Sequence, residues 1–136
     1  MHVDTSFLVA LLRERRRGKA HEGAAHRLLA SLPPYGVLSA SVFVFCELEL
    51  GVRLALRPET ERAAVQTLRR GLRIVYPDES FPTWYAELYA SLEGKGARVG
   101  VMDTAIAALA RAEGEPLITS NAKHFERFQG LEIVTF

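Results

Sequence analysis

The sequence predicts an α/β fold, in which a parallel β-sheet is covered by helices on both faces. Short β-like segments alternate along the chain with segments of helical periodicity, and this alternation is typical of parallel sheets with helical crossovers. No internal repeat or linker interrupts the 136 residues, of which 49% are hydrophobic. We therefore expect residues 1–136 to form a single domain around one core.

The chain opens with a predicted strand and two predicted helices. Residues 1–4 are assigned to the strand. Residues 5–17 predict a helix, because apolar side chains recur every three or four positions and share one side of it. These side chains belong to Phe7, Leu8, Leu11 and Leu12. Residues 21–32 predict a second helix, which ends at two consecutive prolines.

A short strand at residues 36–39 precedes a longer element at 41–56. The run from Val42 to Phe45 would suit a strand if it stood alone. The apolar pattern continues as far as Leu56, however, and a segment of that length favours a helix. Pro58 then breaks it.

The remainder of the chain continues the alternation of strands and helices. Helices are predicted at residues 59–71, 80–93, 103–112 and 122–128, and strands at 72–76, 116–119 and 131–135. Crossovers between parallel strands are expected to be right-handed. In such sheets ligands bind at the carboxyl ends of the strands, so residues at those positions are candidates for a functional site.

Composition excludes several classes of protein. The net charge is +1 and the isoelectric point about 8.0, which gives no general sign of nucleic-acid binding. No apolar run approaches the roughly 20 residues that span a bilayer, and no signal peptide is recognisable. We therefore expect a cytoplasmic protein without a membrane segment.

The single cysteine, Cys46, predicts neither an internal disulfide nor a zinc site, and its apolar neighbours predict a buried side chain.

Three acidic residues stand apart from the others, which lie among polar neighbours. Asp4 follows the first predicted strand, and Asp103 begins a predicted helix. Either aspartate alone could be a helix N-cap. Glu47 lies within an apolar helical segment, where a charge is costly unless it is paired or binds a metal. Glu49, two residues further on, points elsewhere and can pair with Arg53.

The topology can bring Asp4, Glu47 and Asp103 to one place. Two carboxylates about 4 Å apart repel by roughly 4 kcal/mol at an effective dielectric constant near 20. Three together would hold protons at raised pKa or bind a divalent cation. Carboxylate oxygens without cysteine or histidine favour Mg²⁺, with Mn²⁺ as the alternative.

Four short motifs carry a resemblance to a known family. They read Val3-Asp4-Thr5-Ser6, Glu47-Leu48-Glu49-Leu50-Gly51, Asp103-Thr104-Ala105-Ile106-Ala107-Ala108, and Thr119-Ser120-Asn121 followed by Phe125. In this order, and spanning nearly the whole chain, they resemble the PIN-domain ribonucleases, specifically the VapC-type toxins of bacterial toxin–antitoxin pairs.

The resemblance implies a three-layer α/β/α fold with a central parallel sheet of about five strands. It also implies Mg²⁺-dependent cleavage of RNA, a homodimer and an inhibitory antitoxin protein. Asp4, Glu47 and Asp103 would be the metal ligands, and Asn121 would complete the catalytic set. Ser6 and Thr119 would orient waters or phosphate oxygens.

The fourth motif departs from the family pattern. Many relatives carry a further aspartate there, whereas this chain has Asn121 and His124. An amide can orient a water but adds no negative charge, which argues against a tightly bound second metal. His124 is predicted to be a surface histidine.

A basic cluster follows the first motif. Its arginines, Arg13, Arg15, Arg16 and Arg17, are candidate contacts to an RNA backbone, because such side chains give sequence-independent affinity for phosphates. They equally suit a solvated helix end. Whether Glu47 or Asp4 accepts the proton of an attacking water is left open by the sequence.

Two other enzyme classes are disfavoured. A haloacid-dehalogenase-like phosphatase needs Asp-x-Asp after the first strand, but this chain has Asp4-Thr5-Ser6. A receiver domain needs paired acids near its start, which are also missing. A PIN fold that binds RNA or a protein partner without cleavage remains the alternative.

Overall fold

The computed structural model describes residues 1–20, 22–33, 36–93 and 100–136, and it confirms the predicted α/β fold. Within these ranges the strands are β1 (His2–Val3), β2 (Ser39–Ser41), β3 (Arg73–Val75), β4 (Leu117–Ile118) and β5 (Ile133–Val134). They form one five-stranded sheet in the order β3-β2-β1-β4-β5, and every neighbouring pair is parallel.

Helices connect and flank these strands. In the same ranges they are α1 (Thr5–Arg16), α2 (Ala24–Ser31), α3 (Val42–Arg53), α4 (Pro58–Arg70), α5 (Phe81–Glu93), α6 (Val101–Ala112) and α7 (Ala122–Phe125). None of the helices found there is long and apolar enough to cross a bilayer.

The predicted element types are correct, and the differences lie at the element ends. The second strand begins at Ser39 instead of ending there, and Ser41 both closes it and caps α3 by accepting a hydrogen bond from the Val44 amide. Helix α6 begins at Val101, two residues earlier than predicted, with Gly100 as its N-cap. Asp103 therefore lies inside the first turn of α6 and is not its cap.

Strand β1 is the central strand and the point where the strand order changes direction. Val3 is paired with Ala40 of β2 on one side and with Ile118 of β4 on the other. The chain leaves all three strands at the same edge of the sheet, so Asp4 after β1, Ser41 at the end of β2 and Thr119 after β4 lie at neighbouring positions. Ligand sites in open α/β sheets lie at this kind of switch point.

The core lies on and around these central strands. Val3, Phe7, Leu117 and Ile118 are fully buried, or nearly so, and the ring of Phe7 packs edge-on against Phe136. Helix α6 is buried over seven consecutive positions, from residue 104 to residue 110. Because its buried side chains are mostly alanine, α6 can approach its neighbours closely, which fixes the position of Asp103 at its start.

The prediction that Cys46 is buried is wrong. Helix α3 buries Val44, Phe45, Leu48 and Val52, and Cys46 lies on the opposite face, where it is exposed. The apolar run in the sequence extends around the whole helix, so hydrophobicity alone does not distinguish the two faces.

His2 is a buried titratable group at the opposite end of β1 from Asp4. Its ring is fully buried, and neither ring nitrogen has a hydrogen-bond partner among the described residues. The nearest carboxylate oxygen, Oε2 of Glu115, lies 3.7 Å from Nε2. Burial lowers the pKa of His2 from 6.5 to about 4, although the negative charge of Glu115 opposes the shift.

We expect His2 to make the folded state sensitive to acid. The unfolded chain takes up a proton at this histidine as the pH falls below about 6.5, whereas the folded chain resists it until about pH 4. The unfolding free energy should therefore lose about 3 kcal/mol from this group as the pH falls through that window. Urea unfolding at a series of pH values, compared with His2→Leu, isolates this contribution. An unchanged pH dependence in the variant would contradict it.

Candidate metal centre

An open pocket of about 330 Å³ lies at the carboxyl edge of the sheet beside β1. It is lined by Asp4, Thr5, Ser6, Glu47, Asp103, Ile106, Asn121 and Phe125. Five of the six residues predicted for the catalytic, metal-binding and orienting roles therefore line one pocket, and the sixth, Thr119, lies behind Asp4. In the part of the chain that the structure describes, no lysine or arginine lines this pocket.

Asp4 both caps the N-terminus of α1 and lines the pocket. Its Oδ1 accepts hydrogen bonds from the Phe7 amide at 3.0 Å and the Ser6 hydroxyl at 2.7 Å, and its Oδ2 accepts one from the Thr119 hydroxyl at 2.6 Å. The residue is only 5% exposed. Burial raises the pKa of Asp4, while the hydrogen bonds from Thr119 and Ser6 act in the opposite direction.

Hydroxyl groups join the turn after β4 to the start of α1. Ser6 Oγ accepts a hydrogen bond from the Ser120 amide at 3.0 Å, and Thr119 Oγ1 accepts one from the Asn121 amide at 2.9 Å. Thr119 is fully buried, so it holds the Asp4 carboxylate and does not face the pocket. Asn121 is exposed and lines the pocket, where its side-chain amide can meet a ligand.

Glu47 reaches the same pocket from α3. It is half-buried, and its Oε2 accepts a hydrogen bond from the Thr5 hydroxyl. Its surroundings are less apolar than predicted, because Leu50 and Leu54 are 60% and 78% exposed. Thr5 is a site residue that sequence analysis missed, although it stands between Asp4 and Ser6 in the first motif.

Asp103 faces His124, a contact that sequence analysis also missed. The imidazole Nε2 of His124 lies 3.0 Å from Oδ2 of Asp103, and the His124 side chain is 22% exposed. This nitrogen is buried and has no hydrogen-bond partner in the described part of the chain, so the contact is close without being aligned as a hydrogen bond. His124 is therefore a partly exposed histidine, as a surface position allows, but its Nε2 is turned towards Asp103 on α6.

The donor set suits a divalent cation, although the side chains do not enclose one. Across the described residues, no three histidine, cysteine or acidic side chains converge closely enough to hold an ion. Asp4 and Glu47 are engaged by hydroxyls, and Asp103 is engaged by His124. A buried carboxylate costs free energy unless a positive charge compensates it, and within the described ranges no cationic side chain lines this pocket. Three carboxylates and an amide are the oxygen donors that hard divalent cations bind.

The four arginines of the basic cluster lie outside the acidic pocket. Arg13 lines a groove of about 240 Å³ that shares Thr5 and Glu47 with the pocket. Arg16 forms a two-point pair with Glu61, with both N–O distances at 2.7 Å. Arg15 and Arg17 are exposed near the end of α1. Arg13 and Arg16 thus both line the groove that shares residues with the pocket, and Arg16 is already paired with Glu61 there.

Comparisons with known proteins agree with this architecture. The family model described as PIN domain matches residues 1–131. The chain is 30% identical to ribonuclease VapC2 of Rickettsia felis over 111 residues, which is 82% of this chain and 83% of that protein. It is 31% identical to the tRNA(fMet)-specific endonuclease VapC of Salmonella typhimurium over 93 residues, or 68% of this chain and 70% of that protein.

A solved structure extends the similarity to the fold. The crystal structure of VapBC2 from Rickettsia felis, bound to a DNA fragment from its promoter, contains a chain with a TM-score of 0.88 and 26% sequence identity. The match covers 99% of this chain and 97% of that chain. The five-stranded parallel sheet and its flanking helices are therefore shared over essentially their full length.

Proposed function

The chain belongs to the PIN-domain family, and from this premise we propose that it is a metal-dependent endoribonuclease acting as the toxin of a toxin–antitoxin pair. The observation that carries the proposal is the single pocket that Asp4, Glu47 and Asp103 line together. The family accounts for the need for a divalent cation. From the oxygen donors alone our own proposal is Mg²⁺, with Mn²⁺ as the alternative.

Asp4, Glu47 and Asp103 would hold the cation, directly or through water. When bound, a divalent cation lowers the pKa of a water and stabilises charge on the phosphate during cleavage. Thr119 and Ser6 orient the Asp4 carboxylate, and Thr5 orients that of Glu47. Asn121 lines the pocket and would orient a water or a phosphate oxygen through its amide.

The chemistry proposed is hydrolysis of a phosphodiester. The oxygen of a water forms a bond to phosphorus, and the bond from phosphorus to the 3′-oxygen breaks. The departing 3′-oxygen takes up a proton from solvent, so the products carry a 5′-phosphate and a 3′-hydroxyl. Glu47 and Asp4 are the candidates to accept the proton of that water. Of the two, Glu47 is less buried and has one oxygen that no described residue engages.

The RNA strand is proposed to leave the pocket along the groove that contains Arg13. That groove shares Thr5 and Glu47 with the pocket, so a strand cleaved at the pocket passes the guanidinium. Arg16 is already neutralised by Glu61, whereas Arg15 and Arg17 add positive charge further along α1. Contacts between these arginines and the phosphates would give the protein affinity for RNA without a preference for its base sequence.

Protein partners are proposed from the same similarity. The similar Rickettsia felis chain is part of a VapBC complex, and we propose a homodimer and a cognate antitoxin for this chain as well, acting in the cytoplasm. Leu50, Leu54 and Leu56 are exposed on and just after α3, and such apolar side chains suit burial in a protein interface.

The direct test is cleavage of structured and single-stranded RNA by the purified chain with Mg²⁺, with Mn²⁺ and with EDTA. We expect cleavage with either metal and none with EDTA, because the carboxylates alone cannot activate water. RNA binding without cleavage under every metal condition would instead support the alternative, a PIN fold that binds RNA or a partner without cutting it. Asp4→Asn serves as the inactive control.

A further inference from the structure

We propose that His124 is a ligand of the metal that Asp103 binds, and that its nitrogen makes the site prefer Mn²⁺ to Mg²⁺. The inference rests on the proposed metal site and adds a donor to it. In place of a set made only of oxygens, the centre would use the imidazole Nε2 of His124 together with the carboxylates.

The separation of the two side chains fits ligands of one ion. Donor atoms about 2.1 Å from an octahedral cation lie about 3 Å apart when they occupy adjacent positions. His124 Nε2 and Asp103 Oδ2 are 3.0 Å apart and are not aligned as a hydrogen bond. The geometry is therefore better suited to a shared ion than to a shared proton.

The nitrogen is also buried without another partner. Of the described residues, none forms a hydrogen bond with His124 Nε2. His26 provides a contrast, because its Nδ1 lies 2.8 Å from Glu14 Oε2 in a hydrogen bond between α2 and α1. A buried polar atom without a partner costs free energy, and a cation held with Asp103 removes that cost.

An imidazole donor changes the choice of metal. Mg²⁺ binds oxygen ligands and keeps several waters, so a nitrogen adds little to its affinity. First-row transition ions accept imidazole readily, and Mn²⁺ is the member of that series that also suits carboxylates. A site that combines Asp103 with His124 should therefore favour Mn²⁺, whereas an aspartate at position 124 would favour Mg²⁺.

The test measures metal binding without RNA. Untagged protein is titrated with Mn²⁺ and with Mg²⁺ by calorimetry, and the Mn²⁺ complex is examined by electron spin echo spectroscopy for coupling to nitrogen. The variants are His124→Gln and, as the matched control, His26→Gln. We expect nitrogen coupling in the wild type and in His26→Gln, but none in His124→Gln. Mn²⁺ affinity should fall about tenfold in His124→Gln and Mg²⁺ affinity by less than about threefold.

The outcomes separate this inference from the proposed function. Wild-type protein that binds Mn²⁺ without nitrogen coupling overturns the role of His124, even if RNA is cleaved, and so does a His124→Gln variant that keeps the coupling. Bound Mn²⁺ with nitrogen coupling but no cleavage of any RNA supports His124 and overturns the nuclease. Because a wild-type spectrum without nitrogen coupling is by itself enough to overturn the role of His124, the proposal stays testable however well the variant folds.

Discussion

Asp4→Asn should reduce RNA cleavage about a thousandfold or more, since a bound cation contributes several kcal/mol to stabilising the transition state and Asp4 is a proposed ligand. The substitution removes the charge and keeps the shape of the side chain. A loss of activity therefore reports on the metal site and not on packing.

The same variant should remain folded. Asparagine caps helices about as well as aspartate, so the bond from the Phe7 amide to position 4 can persist. Burial already raises the pKa of Asp4, which means that the folded chain disfavours the charged form. We expect the unfolding free energy to change by no more than about 1 kcal/mol near neutral pH.

Single-turnover cleavage rates and urea unfolding curves together check this prediction. Asp78→Asn is the matched control, because Asp78 is exposed, accepts a hydrogen bond from the Ser80 amide and is not among the residues that line the pocket. Its cleavage rate should equal that of the wild type. A purified, folded Asp4→Asn protein with full activity would refute the assignment of Asp4 as a metal ligand.

The positions of the aspartates could be predicted because they depend on local pattern and topology. Asp4 follows the central strand of a parallel sheet, and the strand order places that point at the edge where ligands bind. Glu47 stood out because its charge interrupts an apolar helix. In each case the sequence contains the information within a few residues.

The features that sequence analysis missed depend on packing between distant segments. The contact of His124 with Asp103 joins residues 21 positions apart through the placement of the short helix α7 against α6. Cys46 is exposed because only one face of an evenly apolar α3 meets the core. Periodicity cannot decide either case, since both are settled by which surfaces the tertiary fold brings together.

Glu47→Gln should lower the cleavage rate about a hundredfold or more, and Glu49→Gln should change it by no more than about twofold. Both residues lie on α3, two positions apart, and both substitutions remove one negative charge. Glu47 lines the pocket, whereas Glu49 is exposed on another face of the helix. The pair therefore separates a local role in the site from a general effect of charge on RNA affinity.

The hydrogen bond to Thr5 makes the comparison sharper. The amide oxygen of glutamine can still accept from the Thr5 hydroxyl, so the side chain can keep its place in Glu47→Gln. What it loses is the charge that binds a cation and the basicity that accepts a proton. Single-turnover rates at saturating enzyme remove differences in RNA binding. Equal rates for the two variants would mean that the carboxylate of Glu47 takes no part in catalysis, and the proposed site would then have to function with its two aspartates.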